Sequence, residues 1–308
     1  MRKILVIGSF MTDLVFRSHE FVREGETVTG LSFNRFPGGK GANQAVAAAR
    51  SGAEVTMMGK LGKDDFGEEQ IASLQASGID HHAVLFTDEA VSGVGNPQLD
   101  DHGRNRIVII PGANSLFTPV EIEHMESLIE DNDIIVLQLE IPLETVYRAI
   151  EIAHRRDKTI ILNPAPAQRI DAKHASMVNW IVPNEHEAET LSGIRVDSLQ
   201  SAERASEKLM RQGFGNVVIT LGSHGSFYKT ADAEDKIDAF EVNAVDSTAA
   251  GDEFIGAFAS QIAKDSDISN ALVYSSAASA LAVTKLGAQA SLPTSQEIEA
   301  FLHERNAV

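Results

Sequence analysis

The chain is 308 residues long and carries 44 Asp and Glu against 26 Lys and Arg, a formal net charge of −18. That acidity excludes a protein that works by neutralising nucleic-acid phosphates or anionic membrane surfaces. With no cysteine, disulfides, thiolate metal centres and a cysteine nucleophile are excluded too, while 43% apolar and 23% charged residues fit a globular chain with a buried core.

In chain order, Lys3–Gly8 reads as an apolar strand, and no stretch approaches the ~20 apolar residues of a membrane span. A cytoplasmic protein is expected. Asp13 follows in Gly8-Ser9-Phe10-Met11-Thr12-Asp13, where a carboxylate could hold sugar hydroxyls by charge-assisted hydrogen bonds or cap a turn. The G-x-G-x-x-G fingerprint of a dinucleotide site is missing. Residues 14–37 hold Val15, Phe16, Val28 and Phe33 without helical period and read as a β excursion. Pro37-Gly38-Gly39-Lys40-Gly41-Ala42-Asn43-Gln44 then opens the helix Gly41–Ser51. Three glycines permit close backbone approach, and a helix start presents free N–H groups to an anion or hydroxyl. Residues 37–50 contain Lys40 and Arg50 and no acid. The spacing is not that of a P-loop. A glycine turn that merely caps an alanine-rich helix is the structural alternative.

A strand at Val55–Lys60 and a helix at Glu68–Ser77 follow, then a second β excursion over residues 91–110. Pro97 lacks a donor, so Ser92–Leu99 is expected at a sheet edge or irregular. The pattern continues with a helix at Pro119–Glu130, a strand at Ile134–Gln138, a helix at Leu143–Arg155 and strands at Thr159–Asn163 and Asn179–Pro183. Asn184 and Glu187 come next, three apart. If a helix starts there, both could serve one pocket as oxygen ligands of Mg²⁺ through water, or they could simply complement the helix dipole. A helix at Ser201–Gln212 and a strand at Asn216–Leu221 lead to Thr220-Leu221-Gly222-Ser223-His224-Gly225, a phosphate cradle or a hairpin turn. Asp246-Ser247-Thr248-Ala249-Ala250-Gly251-Asp252 runs into the helix Gly251–Ala263, and a last helix spans Ser269–Thr284. The N–H groups of Ala250, Gly251 and Asp252 would form an anion hole beside a carboxylate able to take a proton from an alcohol, the pairing that phosphoryl transfer needs. Asp252 as a plain helix cap is the alternative. Strands apolar throughout, alternating with helices, argue for a doubly wound, mainly parallel α/β sheet with helices on both faces. No linker divides the chain, so residues 1–308 read as one domain whose β excursions at 14–37 and 91–110 lie outside the layering.

The order and spacing of these motifs resemble the ribokinase-like (pfkB) family of sugar kinases over essentially the whole chain. Gly38–Ala45 matches its N-terminal signature and Asp246–Asp252 its C-terminal one. Asn163-Pro164-Ala165-Pro166-Ala167, Pro183–Glu187 and Lys285-Leu286-Gly287-Ala288-Gln289 are similar to the ribokinase branch. The resemblance implies that Asp252 is the base beside an anion hole at Ala250 and Gly251, and that Asp13, Gly39, Lys40, Asn43 and Glu140 hold the sugar. It implies ATP contacts at Asn184, Thr220, Gly222, Gly225 and Gly251, with Ser276 near the adenine. Asn184 and Glu187 would position Mg²⁺ through water. Asp246, Thr248, Ala282, Lys285, Gly287 and Ser291 would supply oxygens for a monovalent cation, usually K⁺. The β excursions become a lid that in ribokinases often pairs two subunits, so a homodimer is expected.

Two departures stand out. Met11 replaces the usual Asn two residues before the sugar-binding Asp, and with Leu137-Gln138-Leu139-Glu140 it looks like the 2-deoxyribose kinase branch. Glu253 follows Asp252 where a small residue is usual. The resemblance therefore implies transfer from ATP to the 5-hydroxyl of D-ribose or 2-deoxy-D-ribose. Another sugar or a nucleoside is the alternative within the family, and a non-catalytic sugar or nucleotide sensor the alternative outside it. The acidity then reads as a solubility feature of outer helices, and catalysis is expected to lean on cations more than on basic side chains.

Overall fold

Strand β1 (Ile4–Ile7) is buried along its whole length, and its residues divide between two cores: Leu5 and Ile7 pack on one face of a sheet, Ile4 and Val6 on the other. The computed structural model describes residues 1–102 and 104–305. Gly103, inside the second β excursion, and residues 306–308, at the end of the expected domain, lie outside the described residues. After β1 come β2 (Met11–Arg17), β3 (Ser32–Gly38), α1 (Lys40–Arg50), β4 (Val55–Gly62), α2 (Asp65–Ala76) and β5 (Val84–Thr87). The chain continues through β6 (Val94–Leu99), β7 (Asn105–Ile110), α3 (Pro119–His124), α4 (Glu126–Glu130), β8 (Ile134–Leu137), α5 (Leu143–Arg155), β9 (Thr159–Leu162), α6 (Ala172–Ala175) and β10 (Trp180–Ile181). It ends with α7 (Glu185–Ser192), α8 (Leu199–Arg211), β11 (Asn216–Thr220), β12 (Ser226–Lys229), β13 (Glu234–Ile237), α9 (Ala250–Ala263), α10 (Ile268–Ala282) and α11 (Ser295–Glu304).

Nine strands form one sheet in the order β13-β12-β11-β10-β9-β8-β1-β4-β5. It is parallel from β5 to β11 and antiparallel only at the β11-β12-β13 end. One face is covered by α1, α9 and α10 through Val46, Phe254, Phe258 and Leu272, and the other by α5 and α8 through Val146, Ile150 and Leu209. This is the doubly wound α/β architecture expected from the uniformly apolar strands. Strand β1 lies between β4 and β8, so the chain order reverses there, and such a switch point opens a crevice beyond the strand carboxyl ends. Helices α1 and α9 meet over that crevice. A Cβ on Gly256 would lie 2.4 Å from the Ala47 Cβ and 2.6 Å from the Gln44 carbonyl oxygen, so the close approach requires glycine. One turn earlier on α9 is Asp252.

The expected helix over 119–130 is two short helices, because Met125 leaves the helical region (φ −110°, ψ 23°). The two β excursions form a separate four-stranded sheet in the order β3-β2-β6-β7. Strand β6 takes the second of the two forms expected from Pro97, irregular rather than at the sheet edge. It lies between β2 and β7, and its irregularity is local: the ladder to β2 pairs Asp13 with Gly95 and Phe16 with Gln98 but is interrupted between them. The Asn96 side chain bridges the gap by donating to the Leu14 carbonyl at 2.9 Å. The interruption removes the need for a donor from Pro97 on that side. Much apolar surface of this sheet is exposed, including Phe16, Phe33 and the run Ile107–Ile110. Among the described residues no helix is long and apolar enough to cross a membrane.

Candidate active site

Strand β2, the start of α1, the segment after β8 and the first turn of α9 bring the charged side chains of Asp13, Lys40, Glu140 and Asp252 together. Glu140 accepts from the Ser9 hydroxyl at 2.6 Å and from the Lys40 amide at 3.0 Å. Gly39, at φ 92°, packs against the backbone of Phe10 and Met11, where any Cβ would collide. That contact seats the head of α1 on the end of β1. Lys40 stands among Asp252, Glu140 and Glu187, and the Asp252 charge foremost raises its pKa against the effect of burial. Asp13, on β2, makes no side-chain hydrogen bond among the described residues. Burial, with the nearby charges of Glu140 and Asp252, pushes its carboxyl up to about 6. Met11 is nearly buried, with its sulfur against Gly93.

Asp252 belongs to the first turn of α9 and is buried. It is not the helix cap. Ala249 occupies that position, in a left-handed conformation (φ 60°, ψ 7°), with no side-chain capping bond. A non-glycine residue held there stores strain of ~1–3 kcal/mol and marks a turn fixed by its surroundings. The Asp252 carboxylate instead accepts from two amides of α1, Asn43 Nδ2 at 2.9 Å and Gln44 Nε2 at 3.0 Å. The Asn43 Oδ1 atom is buried without a partner. Of the three amides expected to form an anion hole, that of Ala250 already donates to the Ser247 carbonyl at 3.3 Å. Those of Gly251 and Asp252 belong to the first turn, whose N–H groups have no acceptor inside the helix. A Cβ on Gly251 would meet nothing within 4 Å, so the space before these amides is open.

Beyond Gly251 lies a cleft of ≈ 1300 Å³. One wall holds Asn184, Thr220, Gly222 and Gly225 at the ends of β10 and β11, and the floor holds Ala250, Gly251 and Ser276. The segment 239–245 also lines it, with Phe240 edge-on to Phe301 at 5.3 Å between ring centres. The glycine turn 222–225 is a hairpin turn, joining antiparallel β11 and β12, and it also lines the cleft. Asn184 caps α7 in a reciprocal arrangement: its Oδ1 accepts from the Glu187 amide, while the Glu187 carboxylate accepts from its N–H and Nδ2, each at 2.9 Å. Glu187 is thus buried behind Asn184, and burial raises its pKa. Next to the cleft, Asp246 accepts from the Thr248 hydroxyl and amide at 2.6 and 2.9 Å and from the Gly287 amide at 3.0 Å. Partial burial acts to raise its pKa, but these bonds hold it below the usual range. The Ala282 carbonyl accepts from the Lys285 amide at 3.2 Å, and the Lys285 side chain pairs with Glu297. The Ser291 hydroxyl donates to Ala288.

The structure therefore assembles Asp13, Gly39, Lys40, Asn43, Glu140 and Asp252 at the switch point. It places Asn184, Thr220, Gly222, Gly225, Gly251 and Ser276 along the adjoining cleft. Three groups of residues had no role in the sequence reading. Ser9 fixes Glu140. Gln44, Gln138 and Asn163 join Asp252 in one hydrogen-bond network. Segment 239–245 forms a cleft wall. A lone Gln138 ending an otherwise apolar strand was a readable signal for the second group; the third has none.

A doubly wound sheet with a buried acid at its switch point, open helix-end amides beside it and a long adjoining cleft defines an α/β protein built to bring two ligands together. A model of the pfkB family of carbohydrate kinases matches residues 1–295, and the chain belongs to that family. It is accordingly a sugar kinase, a phosphotransferase acting on an alcohol. A Salmonella typhi protein named deoxyribokinase is 39% identical over 300 residues, covering 97% of this chain and 98% of the relative. A Haemophilus influenzae protein named ribokinase is 39% identical over 303 residues, covering 98% and 99%. Among solved structures, a Thermotoga maritima ribokinase matches with a TM-score of 0.91 and 35% identity over 98% of this chain and 100% of that one. An Arabidopsis thaliana ribokinase complexed with ribose and ATP matches with a TM-score of 0.93 and 25% identity over 98% of both chains.

Proposed function

We propose that the protein transfers the terminal phosphoryl group of ATP to the 5-hydroxyl of a free pentose, accepting 2-deoxy-D-ribose at least as well as D-ribose. The observation that carries the reaction is the position of Asp252. Its carboxylate accepts from Asn43 and lies within the charge field of Asp13 and Lys40, while its neighbours Ala250 and Gly251 line the long cleft. A hydroxyl held by Asp13, Lys40 and Asn43 would hand its proton to Asp252 as the oxygen attacks phosphorus. The amides of Gly251 and Asp252 would stabilise the charge on the transferring group. The bonds balance: the new oxygen–phosphorus bond forms as the bond to the departing ADP oxygen breaks, and the proton ends on Asp252. Sugar specificity rests on Met11. An apolar side chain offers no partner to a hydroxyl, and an unpaired buried hydroxyl costs about 1–3 kcal/mol, so losing that hydroxyl should carry no penalty.

Among the described residues no three His, Cys, Asp or Glu side chains converge on a metal position. That suits Mg²⁺, which is carried largely by phosphate oxygens and water. Glu187 and Asn184 would anchor it through water, and the ion would neutralise phosphate charge. The oxygens around Asp246, Thr248 and the 282–291 loop fit a hard monovalent cation such as K⁺. The four-stranded sheet, continuous with Met11 and Asp13, would close over the sugar. Its edge strand β7 exposes Ile107, Val108, Ile109 and Ile110 by more than half, which suits burial against a second copy. Sedimentation of Ile109→Lys against wild type tests that pairing, and an unchanged monomer for both would end it.

A coupled ADP-release assay with 2-deoxyribose, ribose, fructose and nucleosides, with and without K⁺, tests the function. The expected result is turnover of both pentoses with kcat/KM for 2-deoxyribose equal to or above that for ribose. A hundredfold preference for ribose would overturn the specificity, and a preference for fructose or a nucleoside would overturn the pentose.

A further inference from the structure

Behind Asp252 lies a chain of buried side-chain amides. Gln44 Nε2 donates to Asp252 Oδ1 at 3.0 Å and also to Asn163 Oδ1 at 3.1 Å. Its own oxygen accepts from Gln138 Nε2 at 2.7 Å. Asn163 Nδ2 donates in turn to the Val182 carbonyl at 3.0 Å. Gln44 and Gln138 are wholly buried, and Asn163 nearly so. These residues come from the first turns of α1, the end of β8 and the end of β9, so the chain ties Asp252 to the rigid rim of the sheet. Room for Gln138 exists because residue 8 is glycine: a Cβ there would lie 1.9 Å from Gln138 Oε1.

We propose that Gln44, held by Gln138, is a positioning residue that fixes the orientation of the Asp252 carboxylate for proton transfer. This rests on Asp252 being the base. The argument is one of donors and acceptors. A glutamine side chain can turn either its oxygen or its NH₂ toward a neighbour. Gln138 donates to the Gln44 oxygen and so commits the Gln44 NH₂ to Asp252 and Asn163. A donor fixed on one carboxylate oxygen holds the carboxylate in one orientation toward the proton it must accept. Without Gln138, the Gln44 amide is free to turn its oxygen toward the carboxylate, which repels it. Asn43 holds the other Asp252 oxygen but also borders the sugar, so it cannot be dedicated to this task. The charged and titratable groups around Asp252 are Asp13 on β2, Lys40 on α1, Glu140 after β8, Glu187 on α7 and Glu253 on α9. Burial holds Glu253 neutral, while Asp13, Glu140 and Glu187 add negative charge when ionised. That charge makes a dedicated neutral donor more valuable at this position than it would be in water.

The test compares kcat, both KM values and the thermal midpoint in wild type, Gln44→Leu, Gln138→Leu and Asp252→Asn. Gln44→Leu is expected to lower kcat by ~10²-fold, the scale of a misplaced catalytic group, with both KM values within about twofold of wild type. Gln138→Leu should do the same more weakly, by ~3- to 10-fold in kcat, because it acts through Gln44. That variant lies away from Asp252 and conserves volume, so it keeps the test open should Gln44→Leu not fold. A merely structural role would lower the thermal midpoint while leaving kcat of the folded enzyme near wild type, and that result in folded Gln138→Leu or Gln44→Leu would overturn the inference. Asp252→Asn separates the two failures: if it keeps wild-type turnover, the base assignment falls; if it is inactive while the glutamine variants match wild type, only the positioning role falls.

Discussion

On one side of Asp252, β2, α1, the end of β8 and α9 each contribute a polar or charged side chain, so that Asp13, Lys40, Asn43, Glu140 and Asp252 share a small, largely buried volume. Across Gly251, the cleft is walled by glycine turns, main chain and apolar side chains such as Phe240, Val245 and Phe254. In the proposed function the first half would recognise its ligand through the identity of a few side chains in strong mutual fields. The second offers shape, backbone donors and an apolar surface. Single substitutions should therefore be costly and specific on the first side and mild on the second.

The largest effect is expected at the boundary. Asp252→Asn keeps the size of the side chain but removes the proton acceptor, and should lower kcat by ~10²- to 10⁴-fold. Nucleotide affinity, measured by calorimetric titration of ADP, should stay within a few fold, because the cleft does not use this carboxylate. If both kcat and ADP affinity collapse together, the separation of the two halves is wrong.

Asp13 comes next. Its carboxyl is pushed up to about 6 by burial and by Glu140 and Asp252, and it makes no side-chain hydrogen bond among the described residues. It is thus positioned to accept hydroxyl protons when ionised. As pH falls through about 6 the carboxylate becomes protonated and loses that capacity, so kcat/KM for the sugar should drop while KM for ATP holds. Asp13→Asn should cost ~10- to 100-fold in sugar kcat/KM at neutral pH, the scale of a lost charge-assisted bond, and should flatten that acid limb. An unchanged limb in the variant would assign it to another group.

The same contrast governs what could be read before any coordinates. The sheet was legible because its strands are buried on both faces, as Leu5 and Val6 illustrate, and the sugar half because its side chains cluster in two short glycine-rich motifs. The wall at 239–245 was not, since backbone and apolar recognition leaves no residue signature. Gln44 was visible only as part of a motif; its bond to Asp252 joins residues 208 positions apart and depends on the glycine contact at Gly256. Pro97 left two placements open, edge or irregular, because a missing donor forbids a regular ladder but not an interior strand; the strand is interior and irregular, and Asn96 supplies the local repair. Helix α11 went unread although Thr294 and Glu297 form a capping box recognisable from spacing alone.

On the nucleotide side, Phe240→Ala should raise KM for ATP by only ~3- to 10-fold, the value of one aromatic contact, with kcat and the sugar KM near wild type. A hundredfold loss would mean that the apolar wall discriminates as sharply as the charged cluster.

Glu253 should have the smallest effect on turnover, and it separates charge that serves the site from charge that merely adjoins it. The side chain is fully buried, both carboxylate oxygens lack hydrogen-bond partners among the described residues, and burial pushes it up to about 8, with Arg50 opposing and Asp252 adding to the shift. It is therefore neutral in the folded protein at pH 7 but ionised in the unfolded chain above about 4.5. Below the unfolded value both states hold the proton and nothing is lost. Between there and about 8 the unfolded state alone releases it, so stability falls as pH rises, by up to about 1 kcal/mol per pH unit, and the loss levels off above 8. Glu253→Gln cannot titrate. Its thermal midpoint should equal that of wild type near pH 4.5 and exceed it by a margin that grows toward pH 8, while kcat stays within about threefold, well short of a general-base effect. A margin independent of pH would mean that Glu253 is ionised in the fold, and a large fall in kcat would place it in the catalytic half after all.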